Sequence, residues 1–179
     1  MLIASIPAIS QTTVNSDSTI HHIPNSTLKT VKGEQIKVGK KQHQPTVIFL
    51  LSKPSSMSKG KLFLKYIRLW VETINSKYKG CVSSFLIVQP FKTSFPFYHI
   101  QKGKLKNESF PVILDKDGKI LDEFGIGVKN ELSVIITKGN QEKLLSISVG
   151  QNKNYKKEII KNLDKLILKS VEDTTCKDS

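Results

Sequence analysis

Residues 46–51, TVIFLL, form an unbroken run of β-branched, aromatic and aliphatic side chains. A strand without polar alternation has apolar groups on both faces, so the run predicts a strand covered from both sides. It stops at Ser52, and Lys53, Pro54, Ser55 and Ser56 follow as a polar turn. From Met57 the period lengthens. Phe63, Ile67, Trp70, Val71, Ile74 and Tyr78 fall on one stripe, which predicts a helix over 57–78. Lys61, Lys65, Arg68 and Glu72 share another face, and Ser55, Ser56 or Ser58 can accept a hydrogen bond from the first free amides. Gly80 is placed to end the helix before a second apolar strand within 81–89, CVSSFLIVQ. Strand, helix and strand in that order predict a parallel pair with a right-handed crossover.

The flanking segments extend this unit. Residues 28–41 contain two short alternating runs around Lys32-Gly33, a hairpin signal. After Pro90 the chain is aromatic and loop-like, with a short helix expected around 98–103. Phe91, Phe95, Phe97 and Tyr98 read first as cover for an open sheet edge, with a peptide or lipid groove as the alternative. In FPVILDKDGKILDEFGI, residues 110–126, Pro111 opens a strand, 115–118 turn and 120–124 pack back. Residues 131–150 form a hairpin turning at Gly139-Asn140. Tyr155, Ile159, Leu163, Leu166 and Ile167 make the stripe of a last helix. The expected fold is an α/β three-layer sandwich: a mixed central sheet, helices on both faces and an N-terminal hairpin.

A length of 179 residues suits one domain, here 28–168, after a flexible leader or truncated signal-like segment (1–27), Ser/Thr/Asn-rich over 12–27, and before a polar tail (169–179). Residues 1–10 resemble the end of a secretory apolar region without a basic start. Read as the remainder of a signal peptide they imply an exported or periplasmic protein, and read as a tail, a cytoplasmic one. The net charge of +13 favours acidic partners, yet the lysines are dispersed and Arg68 is the single arginine. That pattern weighs against nucleic-acid binding and leaves attraction to acidic partners by charge alone as a separate reading, which salt would weaken. Cys81 and Cys176 lie 95 positions apart, and His21, His22, His43 and His99 lack ligand spacing, so neither a metal site nor a cofactor is expected. Asp115 and Asp117 resemble part of a calcium loop but lack its acidic continuation, so they read as a turn.

Four segments resemble the thioredoxin-like superfamily, in its redoxin branch of peroxiredoxin-like proteins and thiol-disulfide reductases. They are STLKTVKGEQIKV as an opening hairpin, PTVIFLLS as the central strand, FPVILDKDGKILDEFGI, and LSVIITKGN as a later strand and turn. The resemblance covers 28–168 and implies a redox turn after the central strand. Matched on Phe49, the two cysteines of that turn correspond to Pro54 and Met57, with Ser55 and Ser56 between them. The family's cis-proline position corresponds to Glu131, and its aspartate at the end of that strand to Thr137.

Thiol-disulfide exchange needs an attacking thiolate and a resolving thiol. Proline and methionine supply neither, and serine cannot replace a thiolate in peroxide reduction. The reading is therefore a redoxin-like domain that is redox-inactive at the usual turn and acts as a binding or structural module. Its protein or peptide partner would dock at the helix-start end of the sheet. The alternative is a thiol-dependent oxidoreductase using Cys81, which strand alternation otherwise buries as a small apolar residue, or Cys176 in the tail.

Overall fold

The computed structural model describes residues 25–39, 45–78, 82–91, 96–125, 132–138 and 141–147. The predicted last helix, the leader, the tail, Gly80, Cys81, Glu131 and Cys176 lie outside them. Strand β3 (Thr46–Leu51) is buried along its whole length and occupies the middle of a five-stranded sheet. It runs parallel to β4 (Ser83–Val88) and antiparallel to β6 (Leu132–Lys138). Outside these lie β5 (Val112–Leu114), parallel to β4, and β7 (Gln141–Ile147), antiparallel to β6, giving the order β5-β4-β3-β6-β7. Lys138 opposes Gln141 in the antiparallel β6–β7 pair, and the predicted turn at Gly139-Asn140 lies outside the described residues.

Alternation divides the central strand between two cores. Val47, Phe49 and Leu51 point to one side, where helix α1 (Met57–Tyr78) buries the six residues of the predicted stripe. Leu105, at the end of α2 (Phe97–Leu105), joins the same cluster. Ile48 and Leu50 point the other way, onto Leu121 of helix α3 (Lys119–Glu123) and Phe124 just after it. The N-terminal hairpin, β1 (Ser26–Lys29) with β2 (Gln35–Val38), adds Val38 to this second core, with Leu28 and Ile36 packed against it. The mixed sheet with a helix on each face and a leading hairpin is thus as the sequence predicts.

Two local outcomes differ from the sequence reading. Residues 120–124 do pack back, but within a helical turn. Gly118 takes φ +78, and the Asp115 carboxylate accepts the Leu121 amide at 2.8 Å, which holds α3 at its start. The open edge at β5 is met by the hairpin loop, where the Val31 amide donates to the Val112 carbonyl at 2.8 Å. Of the aromatic residues expected to cover an edge, Phe97 is 42% exposed.

Candidate functional site

The site implied by the sequence is the turn between β3 and α1, at the carboxyl ends of the parallel strands. Several bonds fix its backbone. The Gln89 amide continues the β-ladder by donating to the Leu51 carbonyl at 2.9 Å. Its side-chain Oε1 accepts the Lys53 amide at 3.1 Å, so the residue after β4 holds the turn after β3. On the other side, a Cβ at Gly118 would stand 3.0 Å from Gln89 Nε2, so the turn after β5 also closes on this side chain. The Asp115 amide donates to the Val88 carbonyl at 3.0 Å and completes the row.

Pro54 is buried, and its Cγ lies 3.1 Å from where a Cβ would project at Gly60. Proline presets the backbone, and the glycine one turn into the helix lets the ring seat against it. Of the three serines, Ser56 caps the helix: its Oγ accepts the Lys59 amide at 3.2 Å, and its carbonyl accepts the Gly60 amide at 3.1 Å. Ser56→Ala is expected to cost about 1 kcal/mol in a thermal or urea melt, against about zero for the exposed Ser58→Ala. Equal effects would contradict the cap.

Met57 follows, 47% exposed. The first helical turn carries no acidic residue, so the amide dipoles at this end are not offset by a side-chain carboxylate there. Such an end would favour a thiolate. The turn itself, Lys53-Pro54-Ser55-Ser56-Met57, holds no thiol, imidazole or carboxylate. Among the described residues no group of three His, Cys, Asp or Glu could hold a metal ion. Thr137, at the far end of β6, is buried opposite Thr46. It therefore stands at the other end of β3 from the turn.

A second polar feature, absent from the sequence reading, lies on the α1 face. Glu108 is 6% exposed and accepts both Nε (2.7 Å) and Nη2 of Arg68. Its backbone carbonyl accepts Lys32 Nζ at 3.0 Å, so one residue joins α1, the loop after α2 and the hairpin turn. The side-chain bond to Glu108 is the main cause raising the Arg68 guanidinium above its usual value, with the Glu108 and Glu72 charges adding to it.

No protein-family model matches the chain, and no curated protein matches it. Solved structures do. A protein of Chlorobium tepidum, provisionally assigned as the thiol:disulfide interchange protein DsbE, superposes with a TM-score of 0.57 at 17% identity, over 86% of this chain and 99% of its own. The exposed lipoprotein thioredoxin of Streptococcus pneumoniae gives 0.54 at 16% identity, over 79% and 99%. A secreted disulfide oxidoreductase of Mycobacterium tuberculosis, homologous to E. coli DsbE, gives 0.52 at 11% identity, over 79% and 96%. By these superpositions the chain has the thioredoxin-like fold.

Proposed function

We propose that this chain is a redoxin-like, thioredoxin-fold protein that has lost thiol chemistry at the β3–α1 turn and serves as a binding or structural module. The observation that carries the reading is the turn itself. It is built at a capped helix start, held by Gln89 and by Pro54 against Gly60, and its five residues include no cysteine. Disulfide exchange there would need a thiolate to form a mixed disulfide and a second thiol to displace it. Pro54 and Met57 stand where the resemblance puts those two groups, with Glu131 at the cis-proline position. The partner is a protein or peptide docking at this end of the sheet. Two of the similar structures are a secreted protein and an exposed lipoprotein, which supports export through the apolar segment at 1–10.

The test is peroxide consumption and insulin-disulfide reduction by the purified protein with suitable reductants, beside a Cys81→Ser, Cys176→Ser double variant. Rates equal to the uncatalysed background are expected for both proteins. Turnover that disappears in the double variant would overturn the reading and assign the chemistry to an unconventional thiol.

A further inference from the structure

Met57, Leu62, Phe97 and Ile100 are the exposed large hydrophobic residues among those described. Phe97 and Ile100, 42% and 50% exposed, sit one turn apart on α2, and Lys104 continues the same helical face one further turn on. The helix is held so that this face turns outward. Leu105 is buried in the core, Gln101 Oε1 accepts the Phe91 amide at 3.1 Å, and Lys116 Nζ stands 5.8 Å over the Tyr98 ring.

α1 lies on the same side of the sheet, tied to the loop after α2 by the Arg68–Glu108 pair. Opposite its buried stripe, α1 exposes Lys61, Leu62 and Lys65. The two helices carry seven basic residues, five in α1 and two in α2, against Glu72 as their single acid. Glu108, the nearby carboxylate, is buried and already bound to Arg68.

We propose that the exposed residues of the two helices on this side of the sheet, Lys61, Leu62 and Lys65 of α1 and Phe97, Ile100 and Lys104 of α2, dock onto the surface of a bilayer containing anionic phospholipid. No helix among the described residues is long and apolar enough to cross a membrane, and the contact proposed for these two helices is peripheral. The pairing of chemistries selects the lipid. Dispersed lysines are drawn to a negatively charged headgroup layer, and apolar side chains between them enter the boundary with the acyl chains. A nucleic acid would use the charge but has no acyl layer for Ile100 and Leu62, and the one arginine, suited to bidentate phosphate contacts, is committed to Glu108.

Flotation with vesicles of phosphatidylcholine alone and of phosphatidylcholine with one quarter phosphatidylglycerol tests this. Folding of each variant is checked by circular dichroism. Binding is expected to the mixed vesicles only, falling about tenfold or more between 50 and 300 mM salt. Phe97→Ser with Ile100→Ser leaves the charge unchanged and should weaken binding about tenfold, as should Lys61→Glu with Lys65→Glu and Lys104→Glu. Ile100→Ser alone, a single exposed position, gives the apolar readout if the double variant misfolds. Absence of binding to the mixed vesicles, or binding indifferent to both sets, would overturn the proposal. Equally tight binding to a model RNA, unaffected by the apolar variants, would assign the face to polyanions instead.

Discussion

Trp70→Ala is expected to destabilise the protein by about 4 kcal/mol, read as a lower urea midpoint at unchanged slope. The indole is 2% exposed and joins the helix stripe to the central strand, stacked on Phe49 at 5.9 Å and on Tyr66 at 6.2 Å. Removing it opens a cavity between α1 and β3, whose walls are regular elements that cannot easily collapse. Against a total stability of about 5–15 kcal/mol for a domain, the loss is large. The indole Nε1 is buried without a hydrogen-bond acceptor among the described residues. Trp70→Phe removes that donor along with some apolar area, and relief of an unsatisfied group, about 1–3 kcal/mol, works against the area lost. It should therefore cost much less than the alanine change. A phenylalanine variant as unstable as the alanine one would show that the donor is satisfied or that packing alone decides.

Arg68→Ala is expected to cost about 2 kcal/mol, because it leaves the buried Glu108 carboxylate without its bidentate partner. Arg68 is itself half exposed, so water weakens the attraction, and the loss comes chiefly from the stranded carboxylate. A double-mutant cycle separates the two contributions. Glu108→Met placed on Arg68→Met should recover most of the stability lost by Arg68→Met alone, since neither charge is then left unpaired. Additive losses would mean that the pair contributes nothing beyond packing.

How far the sequence specifies these features follows from their range. The unbroken apolar run at 46–51 and the stripe of 57–78 are local signals, and the bounds of β3 and α1 and the buried stripe of α1 follow from them. The pairings of β1 with β2 and of β6 with β7 were legible from alternating runs separated by Gly33 and by Gly139-Asn140 in the sequence. The Arg68–Glu108 pair spans 40 positions and Val31 to Val112 spans more, so no local pattern announces either. Asp115 reads as a turn residue, but its role as acceptor for Leu121 depends on the positive φ at Gly118, which converts the return segment into a helix. The aromatic residues after Pro90 carry no period that separates burial from exposure, and on α2 Leu105 is buried in the core while Phe97 is exposed.

At the turn, sequence and structure supply different parts. The strand-to-helix reversal and its serine cap were readable, whereas the support from Gln89 belongs to a neighbouring strand. The absence of cysteine from the turn at 53–57 was legible from the start. On the proposed reading of this turn, cysteines placed at positions 54 and 57 should give activity.

Insulin-disulfide reduction, measured side by side on the wild-type chain and on Pro54→Cys with Met57→Cys, tests the proposed loss of chemistry most directly. Background rates are expected for the wild type and turnover for the variant carrying cysteines at 54 and 57. Turnover by the wild type, or silence from a variant shown to be folded, would contradict the proposal.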